Sequence, residues 1–285
     1  MQGTVDGFSY GAVTPVVAYL MACLGGALGL RCTTRALLVT HSWRPAWLTL
    51  GAAAIGSGIW TMHFVAMMGF AIREAPIHYD QPVTYASLGL AVVMVGIGIF
   101  IVGYRGATGT ALFTGGTITG LGVASMHYLG MAGVRFHGRF TYNTLTVAAS
   151  VVIAVVAATA ALWAAGRVRG FLWSVGASLV MGLAVSGMHY VGMAALGVHL
   201  DAASHTGGGV PEPSVLAPML IGPLAFLLLA AVVVVFDPTM VLGRPVHMPA
   251  ERKPGVPAAA VPSRLDRRPA LHEGRRPEHH GSRSA

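Results

Sequence analysis

Residues 62–67 read Met62-His63-Phe64-Val65-Ala66-Met67, residues 126–131 read Met126-His127-Tyr128-Leu129-Gly130-Met131, and residues 188–193 read Met188-His189-Tyr190-Val191-Gly192-Met193. The three align without gaps, and their histidines are 64 and then 62 residues apart. Each copy sits late in a long apolar run, and one further apolar run separates it from the next. The predicted repeat is therefore a pair of membrane helices, with the motif on the second, fourth and sixth of a series, all running in one direction.

Composition supports this reading. Hydrophobic residues make up 54% of the 285-residue chain and charged residues only 10%, against roughly 25% charged in a soluble domain. So few charges cannot cover a water-facing surface of this size, so the solvent for most of the chain is lipid. Seven apolar runs are long enough to span, roughly Tyr10–Leu30, Ala46–Phe70, Val83–Tyr104, Ala111–Val134, Thr144–Ala165, Phe171–Leu196 and Val215–Phe236, and none contains Asp, Glu, Lys or Arg. Lipid satisfies no backbone polar groups and the runs do not alternate, so helices are expected rather than a barrel. The predicted fold class is an all-α integral membrane bundle of seven transmembrane helices, over residues 1–236.

Basic residues orient it. With the N-terminus outside, the inner loops and tail hold fifteen Lys and Arg and the outer loops three, Arg73, Arg135 and Arg139. The expected arrangement is N-terminus out and C-terminus in. Residues 237–285 carry eight prolines, nine Lys or Arg and no apolar periodicity, which predicts a disordered basic cytoplasmic tail. Met1-Gln2-Gly3 offers no basic start for a cleavable signal peptide. Two cysteines, Cys23 and Cys32, exclude a disulfide scaffold or a Cys₄ metal site and are expected to be packing residues.

The motif places particular chemistry on one helix face. The residue four after each histidine lies about 40° round the helix from it, so His63 and Met67, His127 and Met131, and His189 and Met193 share a stripe. Position +3 is small each time (Ala66, Gly130, Gly192), and a glycine precedes each histidine by seven residues (Gly56, Gly120, Gly182). Small residues let helices approach closely. Met62, Met126 and Met188 stand about 100° round, on the flank. Each histidine is seven residues from the end of its predicted span, about 10 Å below the outer boundary. Imidazole and thioether without carboxylate form a soft, largely neutral donor set that suits copper better than magnesium, calcium or manganese. The nine candidate ligands are His63, His127, His189, Met67, Met131, Met193, Met62, Met126 and Met188, enough for one or two ions. The same pattern is also compatible with a packing motif copied three times.

These residues resemble the MHYT domain, a bacterial membrane sensor domain of seven helices named for a Met-His-Tyr-Thr motif, and the resemblance covers about residues 8–236. It implies a copper site of Met and His near the outer face that senses a diatomic gas such as O₂, CO or NO. Val65, Leu129 and Val191 stand where the motif has Thr, and the first copy has Phe64 for Tyr and Ala66 for Gly; the donor atoms are unaffected. Members of the family often continue into a cyclase, phosphodiesterase or kinase module. The 49 residues after Phe236 are too few for one, so the signal is expected to leave through helix movement, the tail or an unknown downstream signalling protein.

The expected function is thus a copper-binding sensor of gas or redox state in the bacterial inner membrane, with no enzymatic activity and no nucleic-acid partner. No nucleophile–base set or carboxylate pair is visible in the spans. A copper-handling or transport protein could use the same donors, although they cluster at one depth instead of tracing a path. A haem protein with two axial histidines is the third possibility. A retinal photoreceptor is excluded, because the only lysine, Lys253, lies in the tail.

Overall fold

A computed structural model describes residues 2–7, 9–39, 41–167, 171–200 and 213–237. Within them the order is β1 (Val5–Asp6), α1 (Val13–Leu38), α2 (Arg44–Met68), β2 (Ala71–Ile72), β3 (His78–Tyr79), α3 (Gln81–Arg105), α4 (Gly109–Ala132), β4 (Val134–Arg135), β5 (Gly138–Tyr142), α5 (Thr144–Arg167), α6 (Phe171–Ala194), β6 (Leu196–Leu200) and α7 (Pro213–Val235). The tail after Asp237, and with it the expectation of disorder there, lies outside the described residues.

The repeat is more complete than a pair of helices. Each ladder is antiparallel and joins the two ends of one unit: β1 pairs with β2, β3 with β4 and β5 with β6. Three β-α-α-β units therefore follow one another, each closed by its own ladder at the end where the motif helix finishes. These short strands are what an all-α reading leaves out. The two-residue strands β1 to β4 are too brief to show a period of two; β5 and β6, of five residues each, pair over their whole length.

Helix starts follow local chemistry. The Asp80 carboxylate accepts from Val83 N–H at the start of α3, Thr108 Oγ1 accepts from Ala111 N–H at the start of α4, and Asn143 Oδ1 accepts from Thr146 N–H at the start of α5. These contacts satisfy N–H groups that have no partner within the helix. Pro45 and Pro82 sit in the first turns of α2 and α3, where a missing N–H costs nothing.

Helices α1 to α6 form a closed ring in chain order, with α6 returning to α1, and α7 packs outside it against α2 and α1. Glycines set the close approaches. A Cβ on Gly25 would stand 2.7 Å from Gly58 Cα, so α1 and α2 meet backbone to backbone. The glycine seven before each histidine faces the next odd-numbered helix: Gly56 meets Val92 on α3, Gly120 meets Val155 on α5 and Gly182 meets Cys23 on α1. Gly29 packs on Gly51 and Ile55, and Gly116 on Thr159. The GxxxG pairs Gly25/Gly29 and Gly116/Gly120 thus serve contacts within the bundle.

Six helices, α1 to α3 and α5 to α7, are long and apolar enough to cross a membrane. The chain is a multi-pass membrane protein, and residues such as Val16, Leu20, Val152, Val180 and Leu228 are exposed on its outer surface, where only lipid suits them. α4 matches the others in length, but Gly115, Gly116, Gly120, Gly122 and four threonines lower its apolarity. α1 differs most from its predicted run. It continues past Leu30 to Leu38 through Arg31 and Arg35, because a charge ends an apolar run but does not end a helix, and a long arginine can carry its head away from lipid.

Candidate metal centre

Each unit delivers its histidine to one point. His63, His127 and His189 each stand five residues before the last residue of α2, α4 and α6, and all three are buried, at 1%, 1% and 2% exposure. Their rings form a propeller. Centroids lie 4.9 Å apart for His63–His127, 4.9 Å for His63–His189 and 5.1 Å for His127–His189, with every pair of planes between 81° and 88°. The aromatic residue after each histidine meets it edge-on in all three units, Phe64 at 4.6 Å, Tyr128 at 4.8 Å and Tyr190 at 5.0 Å.

The Nδ1 atoms converge. His63 to His189 is 3.0 Å, His127 to His63 is 3.1 Å and His189 to His127 is 3.3 Å. Three neutral imidazoles cannot satisfy this triangle among themselves. Each carries one proton on one of two nitrogens, so protonating all three Nδ1 atoms crowds three hydrogens into one space. Protonating one leaves two lone pairs facing each other. A cation between them uses all three lone pairs together. The centre of the triangle is about 1.8 Å from each nitrogen, close to the roughly 2.0–2.1 Å of an imidazole–metal bond. These three residues are the group among the described residues whose ligand atoms could hold a metal ion, so the donor set fits one.

Lone pairs on Nδ1 place the ring protons on Nε2. His63 Nε2 and His127 Nε2 are buried without a hydrogen-bond partner. Their neighbours explain the small residue at +3. A Cβ on Gly130 would lie 2.8 Å from His63 Nε2, and one on Gly192 would lie 2.6 Å from His127 Nε2. Each glycine is a slot for the ring of the preceding unit. By the cyclic order of the units, Ala66 would be the residue at +3 next to His189.

Of the predicted methionine ligands, Met62, Met126, Met67 and Met131 are fully buried, Met188 is 1% exposed and Met193 is half-buried. They belong to the core around the triad. By helix rise Met67, Met131 and Met193 stand one turn closer to the strand end than the histidines, about 6 Å along the axis. Tyr128 does not support the imidazoles through its hydroxyl, which lies 2.7 Å from Ser150 Oγ on α5. Phe64 lacks that hydroxyl and packs instead on Trp60 at 4.7 Å and Tyr79 at 6.3 Å. Ser150 and Trp60, whose indole N–H donates to Thr84 O and Ser87 Oγ, had no repeat to mark them in the sequence. His78 and His137 are exposed and His199 is half-buried on β6, away from the triad.

Comparisons with known proteins agree with the repeat. The MHYT family, described as a bacterial signalling protein N-terminal repeat, matches residues 56–115 and 120–178. These segments begin at Gly56 and Gly120, and Gly182 opens the third copy. The chain is 36% identical over 238 residues to the bifunctional diguanylate cyclase/cyclic di-GMP phosphodiesterase MucR of Pseudomonas aeruginosa, an alignment covering 80% of this chain and 34% of that protein. It is 34% identical to the cyclic di-GMP phosphodiesterase NbdA of the same organism, covering 71% of this chain and 27% of that protein. It is 30% identical to the signalling protein YkoW of Bacillus subtilis, covering 68% and 25%. The chain thus spans about a third or less of the length of these relatives. No solved structure matches it. With three MHYT-type units closing around one histidine triad, the chain belongs to the MHYT family of bacterial signalling proteins.

Proposed function

We propose that this chain is a membrane sensor that holds copper through His63, His127 and His189 and responds to a diatomic gas or to redox state. The observation that carries this is the Nδ1 triangle with sides of 3.0–3.3 Å, which neutral imidazoles leave unsatisfied and a cation satisfies. Nitrogen donors on helices that also carry buried methionines, with no carboxylate in the spans, favour copper over harder ions. Met67, Met131 and Met193, with Met62, Met126 and Met188, supply the sulfur. Copper bound there provides an open coordination position and a one-electron couple.

The chain's own part is to hold three rings against one another from three parallel helices. A change in how the rings sit shifts α2, α4 and α6 relative to one another, because Gly130 and Gly192 leave no slack beside His63 and His127. That is a differential contact between two states, which any switch requires. In this reading α4 is the seventh span, enclosed in the ring between α3 and α5, the N-terminus is outside and the site lies near the periplasmic face of the bacterial inner membrane. The relatives' printed names suggest cyclic di-GMP turnover as the output, reached through whatever follows α7 or through a separate protein.

A haem would need its plane between two imidazoles about 4 Å apart, nitrogen to nitrogen, or twice an imidazole–metal bond; three nitrogens converging within 3.3 Å do not suit it. A copper-transport role would need donors spread across the bilayer, whereas the three histidines share one level. The test is metal analysis of detergent-purified protein from copper-replete cells, with X-ray absorption and the optical response to CO. Copper bound through imidazole nitrogens and perturbed by CO supports the reading; protein free of copper overturns it.

A further inference from the structure

Between the triad and the arginine-bearing end of the bundle, the ring encloses a second feature. A chamber of about 40 Å³ lies among residues drawn from all six ring helices, with Met188, next to His189, in its lining. α5 makes the room. It presents Ala154, Ala157, Ala158, Ala161 and Ala165 to the chamber, with Leu162 its one large lining residue, an alanine stripe at helical spacing; α1 and α3 place Leu30, Val95 and Ile99 there. The threefold likeness of the units fails here, and the missing side-chain volume is the chamber.

The lining is unsuited to water. Thr33 and Thr119 bring its only hydroxyls; Thr33 Oγ1 already donates to Gly29 O at 2.8 Å, and the buried Thr119 Oγ1, which has no hydrogen-bond partner, is a single polar atom. A buried water needs two to four polar partners, whereas apolar cavities stay dry and take up apolar guests such as xenon. The volume exceeds the roughly 10–15 Å³ needed for one water-sized occupant and is far below that of a drug-sized pocket.

We propose that this axial chamber is a binding site for one small apolar molecule the size of a diatomic gas, held beside the histidine triad. The identity of the guest as the sensed gas rests on the reading above; the capacity of the chamber does not.

Xenon is the probe, followed by ¹²⁹Xe exchange NMR on the full chain in detergent, with and without copper. The wild type should show one saturable xenon site in both forms. Ala158→Leu should weaken it at least tenfold and leave copper content unchanged, and Val185→Ala, which enlarges the space, should tighten it. No saturable site in the wild type, or equal binding in Ala158→Leu, overturns the proposal. If Ala158→Leu does not fold, Val185→Ala decides: tighter binding supports the chamber, unchanged or weaker binding overturns it. The CO response of copper-loaded wild type, read on the same preparations, tests the sensing reading separately. A xenon site without any CO response supports the chamber and counts against gas sensing.

Discussion

A Cβ on Gly192 would stand 2.6 Å from His127 Nε2, so the ring of one unit is seated on the backbone of the next. Gly130 stands in the same relation to His63, at 2.8 Å. Gly130→Ala and Gly192→Ala should therefore turn an imidazole away from the triangle while leaving the helices intact. Misplacing a ligand in this way typically lowers metal affinity about 10- to 100-fold. Ala66 already carries a Cβ at the third slot, so Ala66→Gly should leave affinity within about twofold. Chelator competition on the three variants measures this, and a Gly192→Ala protein with wild-type affinity would remove the slot from the argument.

The triangle uses one nitrogen from each histidine, so His63→Ala, His127→Ala and His189→Ala should fail alike, each losing at least tenfold in copper affinity. A ligand that binds only the folded form stabilises it, by about 2.7 kcal/mol at a hundredfold excess over Kd. Copper should accordingly raise the melting temperature of the wild type and raise that of each variant by about half as much or less. Unequal losses, with one histidine dispensable, would point to a two-coordinate site.

How much of this was legible in the chain depends on which interactions repeat. The three histidines could be paired with one another because duplication copied Met-His-x-x-small-Met three times, and their common depth followed from helix rise. The small residue at +3 was visible, but its partner was not: that Gly130 faces His63 and Gly192 faces His127 depends on how three helices turn about one axis. The glycines at −7 share the histidine stripe in projection, yet Gly56, Gly120 and Gly182 pack on neighbouring helices. Hydropathy placed every helix but cut α1 short at Arg31. Two of the three β-ladders were invisible because strands of two residues, such as Val5–Asp6 with Ala71–Ile72, leave no pattern; the five-residue β6 does alternate Leu196, Val198 and Leu200 with Gly197 and His199, but its start was read as the end of a span.

Close contacts between backbones should tolerate nothing larger than hydrogen. Gly25→Val forces α1 off Gly58, where no flexible side chain can give way, and should cost about 1–3 kcal/mol, the usual penalty for overpacking. A Cβ on Gly89 of α3 would meet nothing within 4 Å, so Gly89→Val should be nearly neutral. Thermal melting in detergent separates them, and equal melting points would contradict the α1–α2 packing.

Acid should loosen the strand end near α3 first. Arg135 Nη2 donates to Asp80 Oδ2 at 2.9 Å and Val83 N–H donates to Oδ1 at 3.2 Å. The Arg135 guanidinium, helped by that N–H, holds the Asp80 carboxyl below its ordinary value. A lowered folded-state pKa means that the ionised form is the stabilised one. Its contribution is complete above the ordinary carboxylate value and is lost as pH falls through the lowered one. The protection of the β3–β4 ladder amides, with exchange rates corrected for their intrinsic pH dependence, should therefore fall on acidification in the wild type and stay level from this source in Asp80→Asn. Identical acid profiles would show that another group is responsible.

At the opposite end, the extension of α1 past Leu30 has a specific consequence. It carries Arg35 to Asp237, just beyond α7, where Nε and Oδ2 are 2.7 Å apart and the side chains are only 18% and 5% exposed. The guanidinium also lies 5.6 Å from the centre of the Trp47 ring on α2. One ion pair thus ties α1 to the end of α7, with α2 packed alongside. Breaking a buried pair by removing one partner costs about 3–5 kcal/mol; the part-exposed Arg35 sets the lower figure. Arg35→Ala and Asp237→Ala should each lower the melting temperature, and the double variant should lose less than their sum, because both single changes remove the same ion pair. Arg35→Asp combined with Asp237→Arg should recover part of the loss. Strictly additive single losses would mean that the two residues act separately and that α7 is held by its apolar face alone.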